Sequence, residues 1–193
     1  MSCPLPIVLP SLLVLGLALA EQQASAQGGP SVVVLVRHAE KAASPANDPP
    51  LSDAGRLRAE ALAEALADAR IDAIVITPFE RTRSTAAPLA ASRGLKPIEV
   101  PDQESIEEDI AAAAKTIRSR KPGEAVLVVG HSNTIPAIIA ALGGPAMPAL
   151  CDSEYSNLFV LSLGGTGVRL VRGHFGAPDP ANAADCNRGM KVR

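Results

Sequence analysis

The stretch Ser31–Lys41, SVVVLVRHAEK, decides the fold. It begins with a continuous apolar run rich in β-branched residues, which is typical of a central strand buried on both faces of a sheet. Polar side chains follow this run at once, in the order Arg37, His38 and Glu40. A buried strand that ends in such residues predicts a functional loop at its carboxyl end.

A second segment repeats this arrangement. Ala125–Val129, AVLVV, is another apolar run, and Gly130-His131-Ser132-Asn133 follows it directly. Because the carboxyl ends of parallel strands meet at one edge of a sheet, His38 and His131 are expected to lie side by side.

The rest of the chain alternates strands and helices. The periodicity predicts strands at Ser31–Val36, Ala73–Ile76, Pro97–Val100 and Ala125–Val129, and helices at Ser52–Ala69, Glu80–Ser92, Ser105–Arg118 and Thr134–Leu142. Asn157–Leu163 and Val168–Arg172 flank a glycine-rich turn and predict a hairpin. Repeated strand–helix–strand units indicate a three-layer α/β fold, with a mostly parallel central sheet and helices on both faces.

Composition narrows the classes of function. The 193 residues include 20 acidic and 18 basic side chains, and a formal charge of −2 argues against a nucleic-acid partner. Aromatic residues make up only 2% of the chain, which disfavours an aromatic stacking platform. The oligomeric state cannot be inferred from the sequence.

The N-terminal segment resembles a signal peptide. Ile7–Ala20 is apolar but too short to span a bilayer, and small residues suitable for cleavage follow it at Ala24 and Ala26. We therefore expect a signal peptide over 1–26, one domain over 27–193, no stable membrane anchor, and a periplasmic or secreted protein. A buried N-terminal helix is the alternative, although the first six residues contain two prolines.

Export changes the interpretation of the cysteines. Cys151 and Cys186 would remain after cleavage, and an oxidising compartment favours a disulfide between them. This bond would tie an irregular C-terminal tail, 176–193, to the segment that follows the last helix. Two unpaired thiols are the alternative.

The residues at the strand ends suit phosphoryl chemistry. A neutral imidazole such as that of His38 is a good nucleophile near neutral pH. Arg37 and Arg81 could hold phosphate oxygens through their planar forks, and a cationic His131 would add a donor. Ser132 and Asn133 lie at a predicted helix N-terminus, which favours anions. With these fixed cations, neither a metal ion nor a cofactor is required.

Several residues have a second interpretation. Arg83 cannot share a helix face with Arg81 and is expected in solvent, and His174 is expected to be structural or exposed. Glu40 could brace the loop or handle a proton, and the bracing role is favoured. Two histidines and a glutamate also permit a metal site, but the flanking arginines would repel the cation.

Four motifs together resemble the histidine phosphatase superfamily, which has the phosphoglycerate mutase-like fold. Val36–Lys41 is similar to its Arg-His-Gly motif, and Pro50–Gly55 to the segment that opens its first helix. Thr77–Ala86 is similar to its second arginine motif, and Val129–Ser132 to its second-histidine motif. The resemblance extends more loosely through Asn157–Leu161.

The resemblance implies a role for each residue. His38 would become phosphohistidine, and Arg37, Arg81 and His131 would form the phosphate pocket. The sequence departs from the family at the proton donor, because Ser132 replaces an aspartate and the carboxylates between 99 and 108 lack the usual motif. The general acid, whether Glu40 or one of these carboxylates, therefore stays unassigned.

The functional hypothesis is an exported, metal-independent phosphatase. It would hydrolyse a phosphate monoester or a phosphoprotein through a phosphohistidine intermediate, and the natural substrate is not readable from the sequence. A phosphomutase is a second enzymatic reading. A phosphate- or anion-binding protein that has lost turnover is the alternative from another class.

Overall fold

A computed structural model describes residues 32–164 and 167–180. The strands are β1 (Val32–Arg37), β2 (Ala73–Ile76), β3 (Ile98–Glu99), β4 (Ala125–Gly130), β5 (Asn157–Gly164) and β6 (Gly167–His174). The helices are α1 (Asp53–Ala65), α2 (Glu80–Arg93), α3 (Ile106–Arg118) and α4 (Thr134–Ala141). In the described part of the chain, no helix has the length and apolar character needed to cross a bilayer.

The predicted elements are all present, with shifts of a few residues at their ends. The largest shift is at α1, which ends at Ala65 and not at Ala69. Tight turns replace the helix there, and the guanidinium of Arg93 binds the carbonyl groups of Leu66, Ala67 and Ala69. The predicted signal peptide and Cys186 lie outside the described residues. Residues 176–180, at the start of the predicted irregular tail, contain no helix or strand.

The sheet has the order β3-β2-β4-β1-β5-β6. The first four strands are parallel, as predicted, whereas β5 and β6 form the predicted antiparallel hairpin, which joins the sheet through the antiparallel pairing of β5 with β1. The expectation of a mostly parallel sheet is therefore only roughly correct. The parallel half brings the carboxyl ends of β1, β2 and β4 to one edge.

Helices cover both faces of the sheet, as expected for a three-layer α/β fold. On one face, α3 and α4 contribute Ala113, Ile117 and Ile139 to a core with alternate strand residues such as Leu35. On the other face, α1 and α2 contribute Leu62, Ala86 and Leu89, which pack together with Leu66, just beyond the end of α1, against Val36 and its neighbours. Burial on both faces explains why β1 and β4 are apolar without alternation.

One glycine fixes the path of the chain after β1. Ser52 caps α1 by accepting a hydrogen bond from the Gly55 backbone N–H at 3.1 Å, and its own N–H donates to the Glu40 carbonyl at 2.9 Å. A Cβ atom at position 55 would overlap the Glu40 carbonyl oxygen. Glycine is therefore required at this position, since it lets the first turn of α1 close on the loop that carries His38.

Candidate active site

The two strand-end histidines lie together, as the sequence predicted. Arg37 is paired with Gly130 in the β1–β4 register, and the His38 backbone N–H donates to the Gly130 carbonyl at 2.8 Å. The His38 and His131 ring centroids are 5.3 Å apart, in an edge-to-face arrangement. The two loops thus form one site at the carboxyl edge of the sheet.

His38 is buried and held in one tautomer. Its Nδ1 lies 2.8 Å from the Ala39 carbonyl oxygen, which can only accept a hydrogen bond. Nδ1 therefore carries the proton and Nε2 keeps its lone pair. Burial lowers the pKa of His38 to about 2, against the raising effect of that carbonyl and with further lowering by His131 and the two arginines. The ring is consequently a neutral nucleophile at physiological pH.

Arg37 is fixed by the segment that follows α4. Its Nη1 donates to the carbonyls of Cys151, Asp152 and Glu154, at 2.8, 3.0 and 3.1 Å. Its guanidinium carbon lies 4.0 Å from the centroid of the Tyr155 ring, and Nη2 donates to the Tyr155 hydroxyl at 3.3 Å. Burial lowers the pKa of Arg37, although the group stays charged.

One edge of the Arg37 fork is available to an anion. Among the described residues, the buried Nε–H has no hydrogen-bond partner, and Nη2 has the long bond to Tyr155 and an ion pair with the Asp152 carboxylate at 3.9 Å. These two donors form the side-on edge that binds carboxylate or phosphate oxygens in parallel. A buried donor without a partner carries a desolvation cost, which a bound oxyanion would remove.

Arg81 approaches from the start of α2 and is held more loosely. Its guanidinium lies 4.3 Å from the Phe79 ring centroid, and Nη1 is 3.5 Å from the Asp48 carboxylate. Asp48 also accepts a hydrogen bond from the Glu80 backbone N–H, so this one carboxylate caps α2 and restrains Arg81. Arg81 Nη2 reaches the His131 ring at 3.5 Å.

Burial keeps His131 neutral in this structure, so the condition under which it would add a cationic donor is not met here. Burial lowers its pKa to about 3, and Arg81, Arg37 and Lys41 lower it further because a second positive charge is unfavourable there. Its Nε2 lies 3.0 Å from the Thr77 hydroxyl.

The tautomer of His131 follows from the threonines beside it. The Thr82 hydroxyl donates to the Thr77 and Phe79 carbonyls, so the Thr77 hydroxyl at 3.1 Å donates to Thr82. Thr77 is then left to accept a hydrogen bond from His131 Nε2. The lone pair of His131 Nδ1 consequently faces Arg81.

The second arginine motif also ties the His38 loop to α2. The Ala39 backbone N–H donates to the Thr85 hydroxyl at 2.9 Å, and that hydroxyl donates to the Arg81 carbonyl at 2.7 Å. Ala39 and Ala86 are fully buried. Arg81 and Thr85 are one helical turn apart on the same face of α2. Arg81 therefore lies in the site, while Thr85 contacts the backbone of the loop that carries His38.

Glu40 takes the bracing role that the sequence favoured. Both of its carboxylate oxygens bind Arg58, with distances of 2.7–2.9 Å. Arg58 in turn donates to the Phe175 and Ala177 carbonyls, which joins the His38 loop to the end of β6. Its carboxylate is therefore committed to an arginine in this structure.

The other residues named from the sequence lie around this centre. Arg83 is exposed and pairs with Glu99 at 3.0 Å, outside the site. His174 is exposed and bonds the Ser156 hydroxyl at 2.9 Å. Ser132 is buried at the start of α4, and its carbonyl accepts from Leu150 N–H, while Asn133 occupies the N-cap position without a side-chain cap bond.

The sequence did not reveal three contributors to the site, namely Tyr155, Asp48 and the carbonyl groups of 151–154. They lie in two loops that have no helix or strand periodicity, residues 41–50 and 145–156. Tyr155 is the only tyrosine of the chain, which is the one signal that could have drawn attention to it. Every residue has a backbone carbonyl group, so the sequence does not show which carbonyl groups bind Arg37.

Comparison with known proteins shows which family and which solved structures this chain resembles. A sequence profile of the histidine phosphatase superfamily (branch 1) matches residues 33–107, and a search of curated proteins finds no significant match. The histidine phosphatase SixA solved with tungstate superposes with a TM-score of 0.58 at 19% identity, covering 74% of this chain and 96% of SixA.

Two further structures have the same fold. The putative phosphohistidine phosphatase SixA from Agrobacterium tumefaciens has a TM-score of 0.57 at 26% identity, covering 77% of this chain and 99% of its own. A mycobacterial glucosyl-3-phosphoglycerate phosphatase has a TM-score of 0.56 at 20% identity, covering 76% and 99% of the two chains. The profile match confirms the predicted resemblance to the histidine phosphatase superfamily over residues 33–107, and the superpositions confirm the phosphoglycerate mutase-like fold.

Proposed function

We propose that this protein is a metal-independent phosphatase that hydrolyses a phosphate monoester or a phosphoprotein through a phosphohistidine at His38. The observation that carries the proposal is the state of His38, a neutral imidazole with a fixed tautomer, set beside the charged groups of Arg37 and Arg81. A site with two guanidinium groups and a neutral nucleophile suits a tetrahedral dianion. The family and the phosphatase neighbours support the same class of reaction.

In the first step, the lone pair of His38 Nε2 attacks phosphorus on the side opposite the leaving group. The bond from phosphorus to the leaving atom breaks, and that atom takes the electron pair and a proton from water. Arg37, through Nε and Nη2, and Arg81 stabilise the charge on the transferring oxygens. In the second step, water attacks phosphorus, the phosphorus–nitrogen bond breaks, and inorganic phosphate leaves with His38 restored to its neutral form.

Substrates with good leaving groups suit this site best. Of the carboxylates that the sequence offered as proton donors, Glu40 is bound to Arg58 and Glu99 to Arg83. A leaving atom that needs little protonation avoids the demand for a general acid. Phosphohistidine, acyl phosphates and aryl phosphates meet this condition. The structural likeness to two SixA proteins, one named a protein histidine phosphatase and the other a putative phosphohistidine phosphatase, favours the first of these.

The test is hydrolysis of phenyl phosphate by residues 27–193 in EDTA, beside the variants His38→Asn and His174→Asn. We expect wild-type activity to persist in EDTA and the His38 variant to lose at least about a thousandfold in kcat. The His174 variant is the matched control, since that ring lies outside the site. Undiminished activity of His38→Asn would refute the nucleophile. Phosphate binding without turnover of any phosphorylated compound would favour the anion-binding alternative.

Export and the disulfide are part of the same proposal. We infer that the chain is cleaved after Ala26 and acts in the periplasm or outside the cell, with Cys151 bonded to Cys186. The Cys151 carbonyl holds Arg37, so a disulfide at this residue would also steady the phosphate pocket. The N-terminal sequence of the exported protein and its mass before and after reduction test this. A mature protein that still begins at Met1, or two free thiols, would refute it.

A further inference from the structure

A small cavity opens beside His131 and is not needed to hold a phosphoryl group. It lies at the carboxyl ends of β2, β3 and β4, between the sheet and the helices α3 and α4, and measures about 50 Å³. Its walls are mostly apolar and include Phe79, Val100, Ala113 and Ile138. Because His131 also lines it, the cavity borders the site described above.

The charged groups that line this cavity are acidic. Asp102 and Asp109 contribute to its wall, and none of the described lining residues is a lysine or an arginine. Asp109 accepts a hydrogen bond from the Gln103 backbone N–H at 2.7 Å, so it holds the loop that follows β3. Asp102 is exposed and acts on Arg81, since its negative charge opposes the lowering of the pKa of that arginine by burial.

We propose that this cavity receives the leaving group of the substrate, and that Asp102 selects compact leaving groups that are neutral or cationic over those that carry a carboxylate. The proposal rests on the phosphatase function proposed above. It divides the site into two parts, with the arginines holding the phosphoryl group and an apolar, acidic subsite holding the group to which it is attached.

Size and charge support this division. A water molecule occupies roughly 10–15 Å³ by the same measure, so the cavity admits about four heavy atoms of a leaving group, which is one edge of a phenyl ring or a short amine. An apolar wall contributes binding energy only to a part of the substrate that leaves water. A leaving group with its own carboxylate would approach Asp102 and Asp109 and be repelled, whereas an ammonium or ring N–H would be attracted.

Three aryl phosphates whose leaving groups are neutral, cationic and anionic test the proposal. They are phenyl phosphate, 3-(aminomethyl)phenyl phosphate and 3-carboxyphenyl phosphate. The quantity measured is the ratio of kcat/KM for the cationic substrate to that for the anionic one, in wild type and in Asp102→Asn. Intrinsic differences between the leaving groups cancel when the two ratios are compared. Glu104→Gln is the control, because that exposed carboxylate is on the same loop and does not line the cavity.

We expect Asp102→Asn to reduce the preference for the cationic substrate by about two- to fivefold, the range for a single exposed ion pair, and Glu104→Gln to leave it unchanged. Asp102→Lys should reverse the preference. An unchanged ratio in both Asp102 variants would overturn the proposal. An equal loss on all three substrates would also overturn it, since Asp102 would then act on the reaction in general and not on the charge of the leaving group.

A second variant tests whether the cavity itself is used. Ala113→Val narrows it from α3, and we expect it to raise KM for phenyl phosphate while leaving the inhibition constant of inorganic phosphate unchanged. Equal effects on both would place the leaving group elsewhere. Thermal unfolding shows whether Ala113→Val folds. If it does not fold, the Asp102→Asn measurement tests the proposal by itself.

The two proposals fail in different ways. If the wild-type protein hydrolyses none of the three substrates, the proposed phosphatase function is wrong. If it hydrolyses all three without a preference for charge, only the proposed leaving-group subsite is wrong.

Discussion

The two arginines of the site are held in very different ways. Arg37 is 4% exposed, and three carbonyl groups and the face of Tyr155 fix its guanidinium. The side chain of Arg81 is 17% exposed and has one carboxylate and the face of Phe79 as its main contacts. Both carry the same charge, but only one is part of the packed interior.

This difference in contacts makes the Arg37 side of the phosphate pocket preorganised and the Arg81 side adjustable. Arg37 is the last residue of β1 and His38 follows it directly. Strands on both sides fix the position of β1, and the Glu40–Arg58 ion pair holds the loop that follows. Arg81 starts α2 and depends on Asp48, which comes from a proline-rich loop. A pocket built this way can hold one set of phosphate oxygens rigidly while the other side adapts to the substrate.

The largest effect is expected from Arg37→Ala. It removes half of the phosphate pocket and leaves three carbonyl groups without their donor. We expect kcat/KM to fall by at least about a hundredfold, and unfolding to become easier by about 2–4 kcal/mol. Thermal melting and steady-state kinetics measure the two effects. An unchanged melting temperature would show that Arg37 is not the fixed member of the pair.

Arg81→Ala should separate activity from stability. We expect a loss in kcat/KM of about a hundredfold, with little change in the free energy of unfolding, because Arg81 has few buried contacts. Arg83→Ala is the control, since it removes an arginine two positions along the same helix that lies outside the site. A loss of stability as large as that of Arg37→Ala would contradict the comparison.

Acid should weaken the fold through both histidines. The pKa is lowered to about 2 for His38 and about 3 for His131, whereas an unfolded histidine titrates near 6.5. Between these values the unfolded chain binds more protons, so the free energy of unfolding falls as pH drops below about 6.5. Each histidine contributes up to about 1.4 kcal/mol per pH unit.

Denaturant unfolding at several pH values measures this slope. Replacing His38 or His131 by Asn should flatten it, and the matched His174→Asn variant should not. If neither replacement changes the slope, the two rings are not held neutral by burial.

The smallest effect is expected from Asp48→Asn. The change removes the charge that restrains Arg81, while an amide oxygen can still accept the hydrogen bond from Glu80 N–H. We expect KM to change by about two- to fivefold with kcat nearly constant, because the arginine is repositioned and not removed. A large loss of kcat would show that Arg81 is as rigidly placed as Arg37.

The part of this site that lies on strands and at helix starts was predictable from sequence. The apolar runs of β1 and β4 placed His38 and His131 together, since the parallel register leaves little choice. The anchoring of Arg37 was not predictable, because it depends on backbone carbonyls of 151–154 and on the folding of a loop without periodicity. The sequence left the charge of His131 open for a related reason, because the degree of burial cannot be read from a single motif.

The central claim is that His38 carries the phosphoryl group during turnover. The direct measurement is to mix the protein with phenyl phosphate, quench in alkali, and locate the added phosphoryl mass by peptide mapping, beside His38→Asn. We predict an acid-labile, alkali-stable phosphoryl group on the peptide that contains His38 and none in the variant. A phosphoryl group on any other residue, or turnover by His38→Asn at the wild-type rate, would contradict it.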